Sequence, residues 1–542
     1  MYSKDTDWAS EAGAKGQSML TRILALVVTG LTAFGVGIGL ACAAELRIGM
    51  SSEPSSLDPH FHNLASNNNI AAHVFEALTR FDSDSRLVAG LADSWRVVDD
   101  TTWEFKLRKD VRFHDGSELT AEDVIWSLDR PATIANSPGA FTLYTKQIVD
   151  KQIVDQNTLR LKTATPYPLM LNDLSAIFIV SKKATQGLKS EEFASGNGLV
   201  GTGPFRFVSF NRGDRLELAR NENYQGEKSA WDRVTMRFMT NDPSRMAALL
   251  SGDVDAIENV PSADVGQLRT NPSFQVFSKV SHRLIYFTLD QGRDVTPFIS
   301  DRSGQPLLNN PFKDLRVRQA FNKAINRTVI AEKVMEGLGI PTANLVPSPM
   351  FGYNPALKVE AFDPEGARKL LAEAGYPDGF GLTIHGPNNR YINDDKILQA
   401  VAQMLSRIGI KISVEAMPLT VFFPRANKKE FTMALAGWGS QTGEVSSPLR
   451  SILATINAEK GMGTVNFGLY SNPKLDALLE EALRSVDDRK REKLLQDAVA
   501  VAITDVGLIP IHHQVATWAA RKGIVYIPRT DERTLGSQFV AR

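Results

Sequence analysis

The adjacent histidines His512-His513 and the pair His114-Asp115 are the residues whose types could ligate a metal ion or support hydrolysis. Neither spacing favours that chemistry. Successive side chains on a strand point to opposite faces, so neighbouring histidines rarely share one ion, and no third Cys or His stands at a useful distance. Ile509-Pro510-Ile511-His512-His513-Gln514 reads instead as a strand. No Gly-x-Ser-x-Gly elbow, His-Glu-x-x-His or Walker A motif is present, and Gly35-x-Gly37-x-Gly39 falls in an apolar N-terminal run. The expectation is a protein that is not an enzyme and carries no cofactor and no metal.

Strand and helix signals alternate along the chain, which predicts an α/β fold. Strands are expected at Leu46–Met50, Phe205–Phe210, Arg215–Ala219, Val234–Met239, Leu284–Leu289, Leu382–His385, Lys411–Ala416 and Thr432–Ala436. Asp363-Pro364 and Asn472-Pro473 each supply an N-cap followed by proline at the first helical position, and Asp314 caps a third helix. Asp394–Ile408 places Ile397, Leu398, Val401, Leu405 and Ile408 on one face. In the block 91–123, Trp103, Phe105 and Leu107 alternate with Glu104, Lys106 and Arg108, the pattern of a half-buried strand. Asp115-Gly116 marks a turn, and Thr120 with Asp123 forms a capping-box pattern. The polar stretch Asp290–Pro311 reads as a loop or a crossing between lobes.

Residues 1–44 read as a signal peptide. Arg22 precedes the apolar run Ile23–Leu40, and Ala41-Cys42-Ala43 is a small-x-small cleavage pattern, placing cleavage after Ala43 or Ala44. Translation from Met1 or from Met19 would both fit. Gly39 stands where a lipobox needs a large aliphatic residue before Cys42, so the register argues against a lipoprotein. About 500 residues remain, too many for one core, so two or three domains are expected. Lys+Arg and Asp+Glu both number 61, and the leader removes three of each. This neutrality points to no nucleic acid and no anionic membrane surface. Cys42 is the single cysteine, so the exported chain has no disulfide chemistry.

The block 91–123 resembles, almost residue for residue, the signature region of the peptide/opine/nickel family (family 5) of extracytoplasmic solute-binding proteins. Further blocks extend the resemblance. They include Glu53-Pro54-Ser55-Ser56-Leu57-Asp58-Pro59, Gly201-Thr202-Gly203-Pro204-Phe205, Asn221-Glu222-Asn223-Tyr224, Leu315-Arg316-Val317-Arg318-Gln319-Ala320 and Gly437-Trp438-Gly439. The resemblance implies a two-lobed, hinged α/β protein with an additional small domain. Mapped here, the first lobe comprises residues 45–85, 199–278 and 511–542, the small domain 86–198 and the second lobe 279–510. It also implies a periplasmic receptor, expected to act as a monomer, that captures a peptide or peptide-like solute and delivers it to the permease of an ABC importer. An opine, sugar conjugate or nickel complex is the alternative cargo, and a secreted hydrolase the remote one.

Family members that bind short peptides hold the ammonium on an Asp shortly after Gly-Trp; here that place holds Gln441, with Glu444 three residues on. A neutral amide cannot replace the charge, so either Glu444 substitutes for it or the solute lacks a free ammonium, as an opine, a modified peptide or a sugar conjugate does. Arg390, in Gly386-Pro387-Asn388-Asn389-Arg390-Tyr391, lies near the family's carboxylate-binding arginine; it is that group or a solvated loop arginine. Trp438 is either a cleft wall or a hinge-packing residue. Arg283 and Tyr286, near His282, and His60 are the remaining expected cleft linings.

Overall fold

The computed structural model describes residues 44–542; the expected signal peptide therefore lies outside the described residues. Among the described residues no helix is long and apolar enough to cross a membrane. Residues 44–542 form one contact unit organised around a curled twelve-stranded sheet. Two long antiparallel strands, Phe274–Leu289 and Ile509–Arg521, lie at its middle. To one side run Met433–Gly439, Gly381–Pro387 and Lys411–Met417, the sheet of the second lobe. To the other run Ala256–Glu258, Glu45–Met50, Arg233–Phe238, Arg215–Arg220 and Phe205–Asn211, the sheet of the first.

The central strands are buried on both faces. Ile285, Phe287 and Leu289 enter one core of the second lobe with Val317, Phe321 and Leu398, while Leu284 and Tyr286 enter the opposite core with Leu449, Leu479 and Leu495. A strand covered by helices on both faces reads as a continuous apolar run, as Leu284–Leu289 does. The strand nevertheless starts ten residues earlier than its apolar signal, because Lys279, Ser281 and Arg283 interrupt that signal. The ladder between the two central strands shifts register between Val280 and Leu284, opposite Val515 and His513. An irregularity of this kind bends the strands. Asp290–Pro311 is largely loop, as expected; its short strand Ile299–Ser300 pairs with Gly381–Leu382 at the edge of the large sheet.

The block 91–123 forms part of a four-stranded antiparallel sheet, ordered Ala92–Asp99, Thr102–Leu107, Thr158–Thr163, Ile148–Asp155. Trp103, Phe105 and Leu107 enter its core, whereas Glu104 is buried under Arg96 and Arg160, both 2.8 Å from its carboxylate. The capping box forms: the Asp123 carboxylate accepts from the Thr120 amide at 3.0 Å and its hydroxyl at 2.9 Å. Asn472 and Asp314 cap their helices through backbone amides, and Asp363 accepts from the Gly366 amide at 2.8 Å.

Candidate functional site

The seam between the lobes gathers charged side chains from all parts of the chain. At the bend, Arg283 forks onto Glu532, with Nε–Oε1 at 3.1 Å and Nη2–Oε2 at 2.6 Å, while the Ser281 hydroxyl donates to Oε1 at 2.6 Å. Burial works against the Glu532 carboxylate, but Arg283 prevails and holds its pKa down at about 2. Glu532 belongs to Arg529-Thr530-Asp531-Glu532-Arg533, in which Arg529 is paired with Asp531. Among the described residues, Asp531 is the one carboxylate within 4.0 Å of the Arg533 guanidinium.

Arg390 stands close to Arg283. Its backbone is fixed by Asp394, whose carboxylate accepts from the Arg390 amide at 2.9 Å and the Tyr391 amide at 3.0 Å. Its guanidinium lies over the Tyr391 ring at 5.2 Å. The side chain is exposed; desolvation by the protein around it, then repulsion from Arg283, lowers its pKa. Tyr391 itself lies across the strand at Gly437, donating to the Gly437 carbonyl at 3.2 Å. A β-carbon on Gly437 would meet that ring at 2.7 Å, which accounts for the glycine.

The loop after Gly439 faces the first lobe and the small domain. The Asn172 side-chain amide donates to the Thr442 carbonyl at 2.7 Å. Gly443, at φ +70°, leaves no room for a β-carbon against the Phe81 ring. Next to this contact Asp173 is 5 % exposed and accepts from the Tyr167 hydroxyl at 2.5 Å. Burial pushes its pKa up to about 7; the Tyr167 hydrogen bond and Arg450 work against that rise, and Glu444 adds to it. Tyr144, whose hydroxyl accepts from Asn63 at 2.9 Å, feels both Asp173 and Arg533. Basic Arg390 and Arg533 thus belong to the same seam as acidic Asp173.

The residues anticipated from sequence take different places. Arg390 and Arg283 come together, and Gln441 is exposed on the seam loop. Trp438 is half-buried against the second-lobe core and donates to the Ser447 hydroxyl at 3.1 Å. Tyr286 is 1 % exposed inside that core, because strand alternation turns position 286 toward the helices rather than the cleft. Glu444 is also 1 % exposed, ion-paired with Arg491 and bonded to Ser446. His60 is buried with Asp58 and Arg130; its Nε2 bonds the Phe178 carbonyl at 2.8 Å and its Nδ1 meets Arg130 at 3.2 Å. His512 and His513 are buried on opposite faces of their strand, and no group of three His, Cys, Asp or Glu among the described residues could hold a metal. Asp173, Tyr167 and Arg533 escaped the sequence reading. Only the density of charge in 529–533 hinted at the last. Two surface recesses, at Thr455–Asp476–Glu480 and Arg293–Phe298–Lys429, lie apart from the seam.

The chain is similar to known proteins over nearly all of this architecture. The sequence pattern of bacterial extracellular solute-binding proteins, family 5, middle part, matches residues 86–460. A glutathione-binding protein, GsiB, of Pectobacterium atrosepticum is 30% identical over 485 residues, covering 87% of this chain and 89% of that protein. The periplasmic binding protein DppA of Helicobacter pylori, solved with the peptide STSA, superposes with TM-score 0.73 at 24% identity over 92% of this chain and 98% of that one. A dipeptide-binding protein of a Pseudoalteromonas species, solved with Met-Leu, gives TM-score 0.73 at 22% identity, over 92% of this chain and all of that one, 100%. The protein is therefore a member of family 5 of the bacterial extracellular solute-binding proteins, with the two-lobed fold of its structural neighbours.

Proposed function

We propose that the protein captures a peptide or peptide-like solute in the seam between its lobes and delivers it, unaltered, to an ABC importer. It works as a monomer in the periplasm after loss of the leader near Ala43. The observation that carries this reading is the match to the solute-binding family over 86–460, joined to charged side chains of both signs gathered between the lobes. The glutathione- and peptide-binding relatives make peptides the first solutes to test. The long strands with their bulge at 280–284 supply a hinge, and closure of two lobes on a solute excludes water from it.

A solute that binds only the folded protein stabilises it by about 2.7 kcal/mol at a hundredfold excess over Kd. Thermal melting with glutathione, Met-Leu and STSA, alongside opines and sugar conjugates, is expected to show such a rise for a peptide. Small-angle scattering with the same solute is expected to show compaction. Consumption of the solute, or no rise with any peptide, would defeat the reading.

Arg390 is assigned to a solute carboxylate. Arg390→Ala is expected to weaken a carboxylated peptide by about ten- to a hundredfold, the loss of one charge-assisted hydrogen bond, and to leave its C-terminal amide nearly unchanged. Gln441→Asp is expected to shift preference toward solutes with a free ammonium. Calorimetry on the matched pairs decides; equal losses for acid and amide would return Arg390 to the role of a solvated loop residue.

A further inference from the structure

The carboxylate at the seam has a protein partner of the wrong kind for a buried anion. Asp173 is 5 % exposed, yet among the described residues no Lys, Arg or His nitrogen lies within 4.0 Å of it. Its hydrogen-bond donor is the neutral Tyr167 hydroxyl at 2.5 Å. Other buried carboxylates of this molecule are either paired with a cation or held by several donors. Among the described residues Asp123, Glu258 and Asp394 have no cation, but each accepts three hydrogen bonds from amides or hydroxyls, where Asp173 accepts one. Asp58 has Arg130 at 2.7 Å, Glu104 has Arg96 and Arg160, Glu532 has Arg283, and Glu444 has Arg491. A buried anion without a cation is costly, and a protein that retains one usually uses it.

Its location says for what. Asn172, one residue earlier, bonds the Thr442 carbonyl of the opposite lobe at 2.7 Å, so Asp173 stands at the line where the lobes meet. The charged and titratable groups around it are Tyr167 and Lys146 from the small domain, and Glu444 and Arg450 from the second lobe, with Tyr144 in electrostatic reach. Arg450 is the cation of that set on the opposite lobe, and it spends its Nε on the Gly461 carbonyl at 3.3 Å. A small cation that enters with a solute would complete the charge balance.

We propose that Asp173 binds the primary ammonium of the solute, with Tyr167 orienting the carboxylate, so that the protein selects solutes carrying a free amino group. This rests on the peptide reading above and adds a residue from the small domain to the binding machinery. Asparagine keeps the acceptor for Tyr167 and removes only the charge, so Asp173→Asn is the variant of choice.

The test is calorimetry of wild type and Asp173→Asn with glutathione, Met-Leu and STSA, each free and N-acetylated. For a peptide that binds, acetylation and Asp173→Asn are each expected to weaken binding about ten- to a hundredfold, and together to cost little more than either alone. On the wild type, affinity for the free peptide is also expected to rise between pH 5.5 and 7.5, while that of the acetylated peptide stays flat. This second measurement needs no variant. If a free peptide binds and neither Asp173→Asn nor pH changes its advantage over the acetylated form, Asp173 is not the anchor, and the peptide reading stands. If none of the three free peptides binds, the anchor and the peptide reading fall together.

Discussion

Acidification from pH 7 to 5 is expected to destabilise the protein steeply, and the buried histidines are the cause. His60, His73 and His114 have pKa values lowered to about 4, and His512 and His513 to about 3, in each case because burial disfavours the charged ring. In the unfolded chain these rings titrate near 6.5. Below that pH the unfolded state takes up protons that the folded state refuses, so the stability held above 6.5 is lost as pH falls toward 4. At pH 5 each ring contributes a loss of about 2 kcal/mol, or about 10 kcal/mol for the five. Asp173 acts in the opposite direction. Its folded pKa is raised, so protonation favours the folded state below about 7 and offsets about 2–3 kcal/mol at pH 5. Burial also raises the pKa of Glu76 and Asp394, which act with Asp173. The net change is a loss of several kcal/mol, on the scale of the roughly 5–15 kcal/mol by which domains are typically stable.

Thermal and urea melts across pH 5–8 would read this directly, and a flat melting temperature over that range would defeat it. His512 provides the internal control. Among the described residues neither of its ring nitrogens has a hydrogen-bond partner, so His512→Phe orphans no donor or acceptor there. That variant is expected to take up about one proton fewer on unfolding, reducing the slope by about 1.4 kcal/mol per pH unit.

Local rules made much of the fold readable, and long-range pairing hid much of the site. Helix starts at Asp363-Pro364, Asn472-Pro473 and Thr120 depend on residues within one turn, so a linear reading reaches them. The alternation of Trp103, Phe105 and Leu107 likewise reports a buried face. The ten residues before Leu284 escaped because their polar side chains serve the bend, where Arg283 finds Glu532 from the far end of the chain. Glu444 was legible as a carboxylate in the right loop, but the partner that buries it, Arg491, lies 47 positions on. Asp173 sits in an ordinary-looking helical turn, Met170–Leu174, and only the approach of Thr442, 270 positions from Asn172, gives it meaning.

Arg491→Leu is expected to cost about 3–5 kcal/mol, because it strands the Glu444 carboxylate in a buried site without its cation. Arg491 is 3 % exposed, lies over the Phe351 ring at 4.7 Å and has Asp488 only at 3.9 Å, so no second carboxylate competes closely for it. Replacing both partners removes both charges from the interior, and Glu444→Leu with Arg491→Leu is expected to recover most of the loss. Urea unfolding of the two single variants and the double variant measures this, and an Arg491→Leu loss under about 1 kcal/mol would show the pair to be dispensable. The same cycle separates two roles for Glu444. The pair seats the loop that bridges Phe351, packs Gly443 on Phe81 and presents Thr442 to Asn172. If Glu444 acts through that loop, solute affinity should fall in Arg491→Leu and return with stability in the double variant. A double variant that regains stability but not affinity would instead mean that the Glu444 carboxylate itself touches the solute, and the pocket would have to include it.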